Sequence, residues 1–124
     1  MSMEERLRLL MENLMNEGRG SIKSALLITS DGLPIIHLSS SSDFDAEQLA
    51  ARIHLLVMDA NTLSSALGSQ ATRIDVKRGD GSNLVVVGFS KGYLAVETHP
   101  NPNIGLIYLI LSKYVDAFDS ALTT

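Results

Sequence analysis

Cysteine and tryptophan are absent from this 124-residue chain, aromatic residues make up only 5% of it, and no run of basic residues occurs. Without cysteine there is no disulfide framework, no thiolate nucleophile and no thiolate metal site. His37, His54 and His99 stand far apart and lack close carboxylate spacing, so no metal-ligand set is suggested. The ten basic residues are spread from Arg6 to Lys113 and the net charge is −4. Nothing in that distribution would neutralise a phosphate backbone, which argues against nucleic acid as a partner. The longest apolar run, Leu106 to Leu111, falls far short of a membrane span. The N-terminal MSMEERL turns acidic at once and does not read as a signal peptide. A cytoplasmic protein without membrane insertion is expected.

Catalytic signatures are equally scarce. Neither GxGxxG nor GxxxxGK[ST] occurs, and Gly79-Asp80-Gly81 falls between two strand-like segments, where it reads as a hairpin turn. Ser, His and Asp are present without a nucleophile elbow. Of the carboxylate pair Asp43 and Asp45, at least one is accounted for by helix capping, and His99-Pro100 reads as part of a loop. No catalytic residue and no cofactor is expected, and the chain does not read as an enzyme.

What the chain does have is apolar surface. Hydrophobic residues make up 45% and charged residues 19%, with a mean hydropathy of +0.16. A monomer of 13.4 kDa should expose roughly 6,500 Å², too little to cover that many apolar side chains with polar ones. A second copy is the simplest cover, because symmetric dimers are the commonest oligomers. One domain over residues 1–124 is expected from the length.

Ser2 and Glu5 form an S-x-x-E capping box before Leu7, Leu10, Met11 and Leu14, predicting a first helix that ends near Gly18 in a left-handed cap. Ile22 to Thr29 is apolar on both alternating sets, with Ile22, Leu26 and Ile28 on one and Ala25 and Leu27 on the other. The Ser30-Asp31-Gly32 turn leads to a second strand, Leu33 to Ser39, where Pro34 suits a sheet edge. Ser39 to Ser42 reads as a flexible connector. Asp45 caps the second helix with Gln48 at its third position and a Phe44–Leu49 staple; Gly68 ends it after Leu67. Thr72 to Arg78, Leu84 to Phe89 and Tyr93 to Thr98 read as a three-strand meander, the middle segment apolar enough to be central. Asn101 then caps a third helix with Pro102 in its first position, its apolar stripe running Ile104, Ile107, Leu111, Val115, Phe118, Leu122. The order αββαβββα predicts an α+β fold on a five-stranded antiparallel sheet with helices on both faces.

The second helix carries more apolar stripes than one sheet requires. Leu49, Ile53, Leu56, Ala60, Leu63 and Leu67 form the row expected against the sheet, while Ala51, Leu55 and Met58, continued by Thr62, point away from it. That second stripe predicts a contact with the same helix of another copy; an adjacent loop over Leu55 and Met58 is the alternative. Arg52, His54 and Asp59 border the stripe as candidates for specifying a partner. The third strand sets Ile74 and Val76 on one face and Arg73, Asp75 and Lys77 on the other. As an edge it would offer unpaired backbone groups to its own copy, with solvent exposure as the plain alternative.

The hairpin IKSALLITSDGLPIIH, the capped helix DAEQLAARIHLLV, the strand ending GYLAVETHPNPN and the closing helix NIGLIYLILSKYV together resemble the roadblock/dynein light-chain family over nearly the whole chain. Asp31-Gly32-Leu33-Pro34 and Asn103-Ile104-Gly105-Leu106 are the sharpest points, and the compact form is most similar to prokaryotic members. The resemblance implies a homo- or heterodimer in which third strands pair and second helices pack into a platform. It places Ala51, Leu55, Met58, Thr62, Arg73, Ile74, Asp75, Val76 and Lys77 in the dimer region, and Arg52, His54 and Asp59 near the platform. It also implies a Ras-like small GTPase of the gliding-motility type as partner. Some GTPase-activating members carry an extension after the last helix that this sequence lacks, which bears on activation more than on binding. The leading expectation is a homodimeric, non-catalytic adaptor that modulates a GTPase's nucleotide cycle. A nucleotide-independent scaffold subunit, assembling with other roadblock- or longin-type proteins, is the alternative. A small-molecule sensor is a third class, disfavoured by few aromatics and few convergent polar groups.

Overall fold

The computed structural model describes residues 1–123. Its elements are α1 (Met3–Glu17), β1 (Ile22–Thr29), β2 (Pro34–Ser39), α2 (Ala46–Ala66), β3 (Arg73–Lys77), β4 (Asn83–Phe89), β5 (Gly92–Thr98) and α3 (Ile104–Thr123). Every strand pairing is antiparallel and the sheet order is β2-β1-β5-β4-β3. The expected αββαβββα order, with helices on both faces of a five-stranded sheet, is what the chain forms. β4 is interior, but β5 is the middle strand, because it also pairs with β1.

The sheet's two faces follow from strand alternation. Ala25 and Leu27 of β1, Val85 of β4 and Leu94 and Val96 of β5 meet Leu7, Met11 and Leu14 of α1 and Ile107, Ile110, Leu111, Tyr114 and Phe118 of α3. On the opposite face Leu26, Ile28, Val86 and Ala95 meet Ala46, Ala50, Ile53 and Val57 of α2. Each large side chain fully buried this way contributes about 1.5–3 kcal/mol. Ile22 joins the α1/α3 side, not the side of Leu26 as its place in the alternation suggests. A register shift between Ile22 and Ser24 inserts a bulge that turns it over.

Local signals set the helix starts. Glu5 N–H donates to Ser2 Oγ at 3.1 Å and Ser2 N–H donates back to Glu5 Oε1 at 3.4 Å, completing the capping box. Gln48 N–H donates to Asp45 Oδ1 at 3.1 Å. At the end of α2, Gly68 takes the left-handed conformation with φ +93°, as its position predicts. Gly18 does not: its φ is −90°. The position needs glycine for space, since a Cβ there would lie 2.2 Å from Ile22 Cδ1. The cap of α3 is Asn103 and not Asn101, with Leu106 N–H donating to Asn103 Oδ1 at 3.2 Å. Asn101 instead sits at φ +57° in the preceding turn, its N–H bonded to Gly81 C=O.

Two helical stripes differ from the sequence reading. In α3 the deepest residues include Ile110, Tyr114 and Ala121 beside Ile107, Leu111 and Phe118, while Val115 and Leu122 are half-buried and Ile104 is exposed. The helix packs on the sheet and, along its side, on α1, so its buried arc is wider than one face requires. In α2 the row on the sheet is Ala46-Ala50-Ile53-Val57, not the leucine row; Leu49, Leu56 and Ala60 flank it, and Leu63 and Leu67 are 65% and 81% exposed. Small residues at 46 and 50 let the helix lie close to the strands. A 21-residue helix spans about 31 Å, and the 5–8-residue strands only about 17–26 Å, so the last turns of α2 outrun the sheet.

Candidate interaction surface

The surface combines the outer side of α2 with the β3 edge. On α2, Leu55 is 60% and Met58 53% exposed, and Ala51 and Thr62 are exposed in the same row. No loop among the described residues closes over them. Thr62 Oγ1 donates to Met58 C=O at 3.0 Å, which spends the hydroxyl on its own helix and presents the methyl. Leu63 and Leu67, read from sequence as core residues, add to the uncovered apolar area.

β3 is an edge strand, as expected. Gly88 N–H donates to Thr72 C=O and Arg78 N–H to Ser82 C=O, and with the β3–β4 register this turns Thr72, Ile74, Val76 and Arg78 toward β4. Antiparallel alternation then points the backbone N–H and C=O groups of Arg73, Asp75 and Lys77 outward. Ile74 is half-buried against the α2 cluster and Val76 is 36% exposed.

On the other side of the strand Arg73 Nε lies 3.2 Å from Asp75 Oδ1. The Arg73 guanidinium stacks 3.9 Å above the Tyr108 ring, and the Tyr108 hydroxyl donates to Asp75 Oδ2. That hydrogen bond to the carboxylate raises the Tyr108 phenol above its usual range, with desolvation adding to it. Lys77 is exposed. Tyr108 carries no signal in the sequence: it lies in the apolar LIYLIL run, and only the sheet order brings α3 under β3.

The candidate platform residues separate. Arg52 and Asp59, seven positions apart on one row of α2, are both exposed. Arg52 lines an open cleft of about 510 Å³ with Lys23, Asp43, Phe44, Arg78 and Glu97. His54 is on the opposite flank, packed on the β1–β2 turn, where Gly32 has φ +89° and a Cβ would come within 2.8 Å of the His54 Cβ. Its buried Nδ1 has no hydrogen-bond partner among the described residues. Ser39, the last residue of β2, has its Oγ 2.7 Å from Ser24 Oγ; Ser24 donates to Glu97 at 3.2 Å, and Arg78 pairs with Glu97 at 3.0 Å.

A five-stranded antiparallel sheet with two helices on one face, one on the other and the third strand at its edge is the architecture of a roadblock-type domain. Residues 10–98 match the Roadblock/LC7 domain, and the chain belongs to that family. No curated protein matches it in sequence. Among solved structures it is similar to an MglB with a tetrameric arrangement, with 17% identity and a TM-score of 0.88 over 98% of this chain and 90% of that one. The gliding protein MglB of Thermus thermophilus gives 18% identity and 0.82 over 98% and 91%. A Roadblock/LC7 domain from Streptomyces avermitilis gives 22% and 0.74 over 94% and 97%. At these identities the likeness is one of fold.

Proposed function

We propose that the chain is a non-catalytic, homodimeric adaptor that binds a Ras-like small GTPase and modulates its nucleotide cycle. The observation that carries the reading is the uncovered Leu55–Met58 row of α2 together with the open outer edge of β3. Membership of the roadblock family and likeness in fold to the gliding protein MglB support it. In this reading one roadblock domain spans the chain, and Ala51, Leu55, Met58 and Thr62 of α2 together with Arg73 to Lys77 meet a second copy. Arg52 and Asp59 remain on the outer surface to meet the GTPase, and His54 serves to seat α2 on the β1–β2 turn. A location in the cytoplasm belongs to the same proposal; no helix among the described residues is long and apolar enough to cross a membrane.

The test is affinity capture from source-cell lysate with the purified protein as bait, run with GDP and with a non-hydrolysable GTP analogue. Enrichment of a Ras-like GTPase in the analogue arm alone, lost with an Arg52→Glu, Asp59→Arg bait, supports the reading. Identical partners in both arms, without a GTPase, would replace it with the nucleotide-independent scaffold.

A further inference from the structure

The outward groups of β3 constrain how a second copy can join. When two copies of one antiparallel strand are related by a two-fold axis perpendicular to the sheet, directly opposed side chains share a face. The axis must therefore pass through a residue position, and within β3 the available centres are Ile74, Asp75 and Val76.

Charge removes one of the three, and the ends of the strand decide between the other two. Centred on Asp75, the carboxylate would face its own copy and Arg73 would face the partner's Lys77, setting like charges opposite each other throughout; such pairs are destabilising. Centred on Val76, Asp75 would face the partner's Lys77 twice over, so charge allows it, but the ladder would run into the turn in which Gly81 N–H bonds Arg78 C=O at 3.0 Å, and Ile74 would face the partner's Arg78. Centred on Ile74, Arg73 faces the partner's Asp75 twice over, Ile74 meets its own copy on the α2 side, and Thr72 faces the partner's Val76. The ladder can extend that way because Thr72 C=O is already bonded to Gly88 N–H.

We propose that two copies join through β3 in the register centred on Ile74, with Arg73 of each copy paired to the partner's Asp75. This rests on the dimer reading above and adds to it the residues that select the partner. The four charges form a ring in which every nearest neighbour is opposite in sign, since Arg73 and Asp75 already pair at 3.2 Å within each chain. Tyr108 stacks under Arg73 and hydrogen-bonds Asp75, so both are held in place before the partner arrives, which lowers the ordering cost of association. The code is self-complementary: a chain carrying like charges at 73 and 75 is rejected by its own copy.

Sedimentation equilibrium of the full chain and its charge variants reads the register. Arg73→Asp and Asp75→Arg should each weaken self-association by about tenfold or more, since both place like charges across the seam. Mixed one to one, the two variants should recover a heterodimer of wild-type strength, which a misfolded variant would not do. Lys77→Glu should leave the constant unchanged. A tighter dimer in Arg73→Asp would put Arg73 opposite the partner's Lys77 and overturn the register. No change in Arg73→Asp with loosening in Lys77→Glu would move the centre to Val76, and a mixture that stays monomeric would also overturn it. A wild-type chain that is itself monomeric would remove the dimer reading on which the proposal stands.

Discussion

The two faces of the sheet are covered differently. The α1/α3 face is closed by two helices that bring Met11, Leu14, Ile107, Leu111 and Phe118 to complete or nearly complete burial. The other face has one helix, which meets the strands partly through Ala46 and Ala50 and turns Leu55 and Met58 away. The chain exposes 7038 Å², against roughly 6,500 Å² for a compact monomer of its mass. One face is built for stability of the fold. The other, with the β3 edge beside it, carries surface that only another molecule would cover.

If that division is right, substitutions on the two faces should separate in kind. Phe118 is fully buried, and Phe118→Ala should cost about 3–5 kcal/mol of unfolding free energy in urea denaturation, by lost transfer energy and the cavity left behind. Ala50 is also fully buried, beneath α2. Ala50→Leu would prise that helix from the strands and should cost about 1–3 kcal/mol, while also weakening self-association, which Phe118→Ala should affect only through folding. Asp45→Ala removes the acceptor of Gln48 N–H and should cost about 1 kcal/mol, read by the same denaturation.

The smallest effect belongs to a turn away from both faces. Asp80 Oδ1 accepts from the Ser82 hydroxyl at 2.6 Å and from its N–H at 2.9 Å, and these bonds hold its carboxyl below the usual 3.8. A depressed folded-state value means the contribution is complete above the ordinary carboxylate range and is lost as pH falls through the lower folded value. Asp80→Asn should therefore be slightly less stable than wild type at neutral pH, and the gap should close well below 3.8. A gap that widened in acid would reverse the sign of the linkage.

Much of the fold can be read residue by residue because its signals are local. Ser2 and Asp45 announce helices by supplying side-chain acceptors, the Asp31-Gly32 turn fixes the hairpin, and alternation in Arg73–Lys77 assigns the faces of β3. Depth is harder to read. The leucine row of α2 is more hydrophobic than Ala46-Ala50-Ile53-Val57, yet close approach to a sheet favours small side chains, so the stronger hydrophobic signal points the wrong way. Gly18 misleads because a glycine needed for space looks the same in sequence as one needed for positive φ. At the candidate surface, exposure of Leu55 and Met58 follows from their phase on the helix. The bond from Tyr108 to Asp75 joins residues 33 positions apart, and nothing short of the sheet order brings them together.

The measurement that bears most directly on the account is the solution mass of the chain, by sedimentation equilibrium, for wild type and for Met58→Asp. The account predicts twice the 13.4 kDa chain mass for wild type at micromolar concentration, and a folded monomer for the variant with an unchanged circular dichroism spectrum. A wild-type monomer, or a dimer indifferent to a carboxylate at position 58, would show that the α2 face is not what a second copy covers.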